Sequence, residues 1–223
     1  PVRSDLSKDS GEELEEEDYD TIESYKQAIR INPDDASAHY NLGVTYYELG
    51  MYKEMIESCK QAIKIDPDNA DVHASLGYTY YETGKYKEAF ESYKQAIRIN
   101  PDDAEAHFFL GVAYDESGKY EEAIESYKQA IRINPGDGLA HHGLGRAYNS
   151  LGKYKEAIKS YKQVVRIDPD DAEVHYNLGV AYISLSDRGS AMGQMMILRR
   201  LDYVLSYELY NLVKVKFKGE HPP

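Results

Sequence analysis

The chain has 223 residues, of which 42% are hydrophobic, and a formal net charge of −13 at pH 7. No apolar run approaches the ~20 residues that a membrane span needs, and the polar first ten residues do not indicate a signal peptide. The single cysteine excludes an internal disulfide framework and fits a reducing compartment, so we expect a cytoplasmic protein.

The two ends of the chain carry opposite charge. Residues 1–20 contain nine acidic and two basic residues, whereas residues 188–223 contain six basic and three acidic residues. The acidic balance of the whole chain disfavours non-specific nucleic-acid binding, because phosphate contacts need clustered Lys and Arg. The acidic end is predicted to be either a solvated tail or one half of an electrostatic contact between the ends of two chains.

The N-terminal segment predicts a short tail followed by one helix. Residues 1–10 are polar and are expected to be disordered. A helix is expected to begin near residue 11, with Ser10 as its N-cap and acidic residues in its first turn, where the helix dipole favours them. Only the second half of the repeat described next is recognisable here, through Tyr25 and Ala28.

A period of 34 residues runs through the middle of the chain. The decapeptide ESYKQAIRIN occurs three times at this period, and glycine, leucine and tyrosine recur with it. A fixed period of this size indicates an array of identical supersecondary units instead of one central core. The prolines that mark the period are Pro33, Pro67, Pro101, Pro135 and Pro169.

Segment 70–103 shows how one unit is built. Apolar residues at helical spacing occur over 76–81 and again over 86–97, and Gly84 separates the two runs. Asp103 stands where it can cap the next helix. Each unit is therefore predicted to be two helices joined by a tight turn, and no segment indicates a strand.

The period divides the chain into predicted segments. After residue 171 the second helix loses its proline, and a further apolar stripe follows from Tyr203. We expect that stripe to be a helix that closes the array with a polar end face. The predicted segments are a disordered tail at 1–10, a half repeat at 11–35, repeats at 36–69, 70–103, 104–137 and 138–171, a degenerate repeat at 172–202, a capping helix at 203–216 and a tail at 217–223.

The pattern resembles the tetratricopeptide repeat (TPR). That family's signature has a large residue, Leu, Gly and Tyr in the first helix, then Ala, an aromatic residue, Ala and Pro in the second. Met55 and Cys59 weaken the match in the first full repeat, 36–69. Histidine stands where the family often has tryptophan. In the repeat 70–103 the signature positions are His73, Leu76, Gly77, Tyr80, Ala89, Tyr93, Ala96 and Pro101.

The resemblance implies an all-α solenoid of stacked antiparallel helix pairs, wound as a right-handed superhelix. It also implies that the first helix of each unit lines a concave groove that binds a peptide, and that the second lies outside. The family members that bind chaperone tails grip a carboxylate with Lys, Arg and Asn, but Arg146 is the one fixed cation expected in this groove. The acidic residues expected there, including Glu82 and Asp115, favour an apolar or basic partner. The predicted groove residues are Tyr40, Asn41, Val44, Tyr47, Tyr78, Tyr81, Phe108, Phe109, His142, Arg146, Tyr176 and Asn177.

Other site chemistry was sought in the sequence. Equivalent histidines in successive units should lie too far apart to share a zinc ion, so we predict no metal and no cofactor, with these histidines filling the core. Cys59 occupies a core position, which predicts a buried and unreactive thiol. No phosphate-binding loop, HExxH or GxSxG motif occurs, so an enzyme is not expected.

Three functions remain open from the sequence. The first is a non-enzymatic scaffold that binds a peptide segment of a partner protein in the groove. The second is a self-assembling array, joined head to tail or through the half repeat. The third is the TPR segment of a larger enzyme or signalling protein.

Overall fold

The structure is a computed structural model that describes residues 14–218. Every regular element in that range is an α-helix, and consecutive helices pack as pairs, which confirms the predicted all-α solenoid. No helix within these residues is both long enough and apolar enough to cross a membrane. The helices are α1 (Glu16–Ile31), α2 (Ala36–Glu48), α3 (Tyr52–Ile65), α4 (Ala70–Glu82), α5 (Tyr86–Ile99), α6 (Ala104–Glu116), α7 (Tyr120–Ile133), α8 (Gly138–Ser150), α9 (Tyr154–Ile167), α10 (Ala172–Ser184), α11 (Arg188–Leu201) and α12 (Tyr203–Lys216).

The chain divides into two compact units. Unit 1 comprises residues 1–113 and unit 2 comprises residues 114–223, and the division falls within α6. In unit 1, each helix from α1 to α4 packs on the next one in the chain. In unit 2, each helix from α7 to α11 does the same, and α12 also packs on α10.

Each first helix of a repeat begins at a side-chain cap. In unit 1, for example, the carboxylate of Asp103 accepts hydrogen bonds from the backbone N–H groups of Glu105 and Ala106, each at 3.0 Å. Such a cap satisfies N–H groups that have no partner inside the helix. The equivalent caps of the other repeats are Asp35, Asn69, Asp137 and Asp171.

Each first helix ends at a residue in the left-handed conformation. Gly84 has φ of 71°, a region that glycine adopts without steric cost. The last repeat has Ser186 at the same position, with φ of 59°. Among residues 14–218, Ser186 is the one non-glycine residue with positive φ. The degenerate repeat therefore keeps the turn geometry although it has lost the glycine.

Small residues allow close contact between paired helices. A Cβ atom added at Gly77 would lie 3.0 Å from the ring of Tyr93, and one added at Gly145 would lie 2.4 Å from the ring of Tyr161. These two tyrosines occupy the same repeat position and are among the largest fully buried side chains in the described residues. Paired helices thus approach closely at these glycines in both units.

The repeated histidines fix the turns between repeats. His39 and His73, for example, make hydrogen bonds of 3.1 and 3.0 Å through Nε2 to the carbonyl oxygens of Pro33 and Pro67. Four of the five are only partly buried, and His175 alone is fully buried. The expectation that they simply fill the core was incomplete, because each one also makes a hydrogen bond to the carbonyl oxygen of the preceding proline. The other three are His107, His141 and His175.

The N-terminal helix begins later than expected. It starts at Glu16, not near residue 11, and Glu15 precedes it in an extended conformation. The backbone N–H of Glu15 donates to the carboxylate of Asp18 at 3.0 Å, which closes the first turn. The predicted cap at Ser10 and the predicted tail at 1–10 lie outside the described residues.

The C-terminal helix does not present the polar end face that was expected. Tyr203, Val204, Tyr207 and Val215 on α12 are exposed, with Val215 at 75%. The inner side of α12 is held by Leu209, which is fully buried. α12 therefore covers the end of unit 2 and leaves an apolar surface of its own.

One residue of the predicted C-terminal tail belongs to the core of unit 2. Phe217 is buried beside Ala191 and Val213, and the guanidinium of Arg188 lies 5.9 Å from its ring centroid. The apolar spacing of α12 thus continues one residue past its last turn. Residues 219–223 lie outside the described range.

Candidate functional site

A pocket of about 630 Å³ lies in unit 1. Its walls come mainly from the first helices α2, α4 and α6, and Met55 of α3 and Tyr93 of α5 complete it. This volume is typical of sites that hold a small molecule or a few peptide residues. The aromatic lining residues are Tyr40, Tyr47, Tyr78, Tyr93 and Phe109.

The aromatic side chains form a connected series. The ring centroid of Tyr78 lies 5.7 Å from that of Tyr47 and 5.2 Å from that of Phe109, both in edge-to-face geometry. The ring of Phe109 is stacked on that of Tyr93, with 6.3 Å between the centroids and 10° between the planes. Such pairs stabilise one another beyond the area that they bury, so the pocket wall is preorganised.

Polar contacts fix part of the wall. The hydroxyls of Tyr40 and Ser75 are 3.0 Å apart and hydrogen-bonded, which joins α2 to α4. The hydroxyl of Thr79 donates to the backbone carbonyl of Ser75, and its oxygen also lies 3.0 Å from the Sδ atom of Met55. The hydroxyl of Tyr93 is buried and has no hydrogen-bond partner. Tyr93 is therefore the polar group of this wall whose bonding capacity is unused.

The charged residues that line the pocket are all acidic. Asp71, Asp103 and Glu105 line it, and no Lys or Arg is among its lining residues. The three carboxylates lie at the N-terminal ends of α4 and α6, where the helix dipoles favour negative charge. Burial and a hydrogen bond with Tyr78 raise the pKa of Tyr47, so its phenol stays neutral.

The equivalent surface of unit 2 is polar and internally paired. His142 Nε2 and Asn177 Nδ2 are hydrogen-bonded at 3.1 Å, and Glu173 lies 3.7 Å from the same histidine nitrogen. The ring centroid of His142 lies 5.9 Å from that of Tyr161. Several polar groups of this surface are thus paired with one another, whereas the buried amide oxygen of Asn149 on α8 has no hydrogen-bond partner.

Arg146 is held by two acidic residues of unit 2. Its guanidinium lies 3.1 Å from the carboxylate of Asp115 and 3.3 Å from that of Glu116. Asp115 is only 7% exposed, and this burial raises the pKa of its carboxyl. The positive charge of Arg146 opposes that shift, and the negative charge of Glu116 adds to it. Arg146 thus offsets only part of the acidic charge here, because two carboxylates face one guanidinium.

The predicted groove residues fall into four groups. Tyr40, Val44, Tyr47, Tyr78 and Phe109 come together in the pocket of unit 1. Two others adjoin it, since Tyr81 lies 6.4 Å from Tyr78 and Phe108 lies 5.2 Å from Phe109 between ring centroids. Asn41 is exposed and does not line the pocket. The four predicted residues in unit 2 are His142, Arg146, Tyr176 and Asn177.

Several pocket residues were not predicted: Asp71, Asp103 and Glu105 lie at the starts of first helices, and two others lie on second helices. Tyr93 and Met55 occupy positions that the repeat signature assigns to the core, and both are 1% exposed. Their inner atoms fill the core, while each side chain also contributes to the pocket. A signal was present in the sequence, since a tyrosine hydroxyl placed in a core needs a polar partner.

Other candidate chemistry is limited in the part of the chain that the structure describes. No cluster of three or more His, Cys, Asp or Glu residues among residues 14–218 could hold a metal ion. Cys59 is fully buried, and burial raises the pKa of its thiol to about 12. The thiolate needed for reactivity is therefore scarce at neutral pH, as the sequence predicted.

The fold is similar to solved structures of repeat proteins. YrrB, described as a TPR protein with an unusual peptide-binding site, is 22% identical and has a TM-score of 0.76, covering 85% of this chain and 99% of that chain. MamA is 30% identical with a TM-score of 0.65, covering 68% of this chain and 89% of that chain. The pilF protein of Pseudomonas aeruginosa is 21% identical with a TM-score of 0.70, covering 87% and 89%. No curated protein sequence matches the chain.

Sequence profiles of one family match most of the chain. The profile described as TPR repeat matches residues 20–50, 45–84, 77–116 and 145–185. Two profiles described as tetratricopeptide repeat match residues 104–137 and 126–159. Proteins of this kind are typically non-enzymatic scaffolds that bind other proteins. With its repeated helix pairs and these matches, the chain belongs to the tetratricopeptide repeat family.

Proposed function

We propose that this chain is a non-enzymatic scaffold that binds a peptide segment of a partner protein in the pocket of unit 1. The observation that carries the proposal is the connected aromatic series Tyr47–Tyr78–Phe109, which is partly exposed and lines a pocket of about 630 Å³. Large aromatic groups held rigidly beside a pocket are typical anchors of protein interfaces. The same role holds if the chain is the repeat segment of a larger protein.

The acidic lining sets the kind of peptide. Carboxylates without a cation beside them favour apolar and basic side chains and disfavour nucleic acid and acidic tails. Arg146 cannot serve as a carboxylate clamp without giving up its contacts to Asp115 and Glu116. The peptide-binding site reported for YrrB is consistent with this role. A cytoplasmic location and the absence of catalysis are part of the same proposal.

A peptide-display selection on the purified chain tests this function. Peptides that bind are resynthesised, and their Kd is measured by calorimetry for wild type, Phe109→Ala and Tyr78→Ala. Truncating an anchor of this kind costs about 2 kcal/mol of binding, or roughly thirtyfold in Kd. Tyr176→Ala in unit 2 is the control, and it leaves Kd unchanged. Failure to select any peptide, or equal losses in all three variants, contradicts the assignment to this pocket.

A second candidate function is self-association through the chain ends. The outer face of α12 carries exposed Tyr203, Tyr207 and Val215 beside Lys214 and Lys216, which are also exposed. An apolar face with basic residues fits an acidic surface on a second copy of the chain.

The other end of the chain offers such a surface on α1. Glu16, Glu17 and Asp20 of α1 are exposed, and so are Thr21 and Ser24. In the complete repeat 70–103, the positions equivalent to Thr21 and Ser24 are Ala89 and Ser92, and both are buried against neighbouring helices. The open side of α1 is thus a face that complete repeats cover.

Light-scattering mass over a concentration series, at low and at high salt, tests self-association. An oligomer that dissociates at high salt and on Tyr207→Glu supports it. A monomer at every concentration contradicts it and leaves the peptide pocket as the single proposal.

A further inference from the structure

We propose that the pocket of unit 1 takes a cationic side chain, that of arginine or lysine, from the bound peptide, and that the Tyr93 hydroxyl accepts a hydrogen bond from it. This inference rests on the proposed function and names the chemistry that the pocket selects. Three independent features carry it: an unpaired buried hydroxyl, carboxylates without a counter-cation, and an arginine of the same chain near the equivalent tyrosine in unit 2.

The first feature is the hydroxyl of Tyr93. The side chain is 1% exposed and lines the pocket, and its hydroxyl has no hydrogen-bond partner. Burial and the nearby groups Tyr78 and Glu105 raise the pKa of this phenol. Both of these residues line the pocket together with Tyr93. A buried polar group without a partner is costly, and a ligand N–H group removes that cost.

The second feature is the match between the rings and the carboxylates. Cations bind over the faces of aromatic rings, and a guanidinium can stack on a ring and donate to a carboxylate at the same time. The rings of Tyr78 and Phe109 and the carboxylates of Asp71 and Glu105 supply both kinds of partner. Both carboxylates are exposed at the pocket rim, where they can meet an entering charge.

The third feature is that unit 2 holds a cation near the tyrosine that is equivalent to Tyr93. Arg146 contacts Asp115 and Glu116. Burial raises the pKa of the Tyr161 phenol, and the nearby charge of Arg146 opposes that shift. Tyr161 is the repeat equivalent of Tyr93, and the repeat equivalent of Arg146 is Tyr78. Unit 2 therefore supplies its own cation beside this tyrosine, whereas the equivalent position in unit 1 carries an aromatic ring that can bind a cation from outside.

The test uses three synthetic peptides that differ in one side chain. The first is Ac-Ala-Leu-Arg-Leu-Ala-NH2, and the others replace its arginine by lysine or by citrulline, which has nearly the shape of arginine without the charge. Affinities for the whole chain are measured by calorimetry at two salt concentrations. The variants are Tyr93→Phe and Glu105→Gln, and Tyr161→Phe is the matched control at the same repeat position in unit 2.

We expect the arginine or the lysine peptide to bind about tenfold more tightly than the citrulline peptide, with the preference weakened by salt. Tyr93→Phe and Glu105→Gln each reduce that preference, and Tyr161→Phe does not. Because Tyr93→Phe removes an unpaired hydroxyl, it leaves the thermal midpoint unchanged or raises it. Weaker binding by an equally stable protein separates a role in binding from a role in folding.

Three results overturn the inference. If the citrulline peptide binds as tightly as the cationic ones, the pocket binds peptides by apolar contact alone, and the proposed function survives without the cation. If a preference exists but is the same in Tyr93→Phe and Glu105→Gln as in wild type, the cation binds elsewhere. Absence of binding by all three peptides also overturns it, and the display selection then decides the proposed function separately.

Discussion

Unit 1 and unit 2 are built from the same 34-residue pattern, yet their first helices differ in how their polar groups are used. In unit 2, Arg146 forms ion pairs with Asp115 and Glu116, and His142 is hydrogen-bonded to Asn177. In unit 1, the equivalent surface is lined by aromatic rings and by carboxylates without a cation. The scaffold positions are shared, so this difference arises from residues that the repeat leaves free to vary. The same repeat scaffold can therefore carry a surface whose charged groups are mostly paired with one another, or a surface whose charged groups have no partner within the chain.

The packing of the two units can be compared through a matched pair of glycines. We expect Gly145→Ala to destabilise the protein by about 2–3 kcal/mol, because the new methyl group would overlap the buried ring of Tyr161. Gly77→Ala is expected to be close to neutral, because its 3.0 Å contact with Tyr93 needs only a small shift and alanine gains about 1 kcal/mol in helix propensity.

Urea unfolding midpoints of the two glycine variants measure this difference. Equal losses would show that the two helix pairs tolerate the methyl group alike, and the contrast in packing between the units would then be withdrawn.

The ion pairs of unit 2 can be broken at Arg146. We expect Arg146→Met to cost about 1–2 kcal/mol, because Asp115 is left buried and unpaired while Arg146 itself is half exposed. Glu116→Gln is the control, since that residue is exposed and its loss leaves the Asp115 contact in place. A control loss as large as that of Arg146→Met would assign the effect to general charge balance.

The same variant predicts a change with pH. Removing Arg146 takes away the one cause that lowers the pKa of Asp115, so the folded-state pKa rises further above the unfolded value. The folded state then binds more protons than the unfolded state at intermediate pH, and acidification through that pKa restores stability. We expect the deficit of Arg146→Met relative to wild type to be larger at pH 7 than at pH 5. A deficit that stays constant between these pH values contradicts the buried, unpaired carboxylate.

The smallest expected effect concerns the turn between paired helices. Ser186→Gly should stabilise unit 2 by about 1 kcal/mol, because a left-handed residue with a Cβ atom is strained by roughly that amount. Gly84→Ser should destabilise unit 1 by a similar amount at the equivalent turn, where φ is 71°. Thermal midpoints of both variants measure the effect, and shifts of the same sign would exclude a shared turn geometry.

Much of the fold could be predicted because its determinants are local and repeated. Gly84 ends a helix by its own backbone conformation, and Asp103 caps one through bonds to residues two and three positions away. Five cycles of the pattern repeat such signals, so the helices and their pairing were predictable. The start of α1 at Glu16 was not predictable, because any residue of an acidic run is acceptable in the first turn of a helix.

The candidate site was predictable only in part. Aromatic residues at variable positions of the first helices indicated Tyr47, Tyr78 and Phe109 as groove residues, and the structure brings these three together. Their role in binding stays a prediction. Tyr93 was assigned to the core by the repeat signature, and a signature cannot show that one end of a buried side chain reaches a pocket.

By itself, the sequence determined that this is an array of paired helices, where the helices of the complete repeats begin and end, and which positions lie between them. These features depend on residues within one repeat, so a single period contains the information. Only the tertiary structure decided which polar side chains pair with one another. Arg146 forms an ion pair with Asp115, which is 31 residues away, and the hydroxyl of Tyr93 has no hydrogen-bond partner. It also decided that the outer face of α12 is apolar. Each of these depends on distances between different helices, which spacing along the chain does not specify.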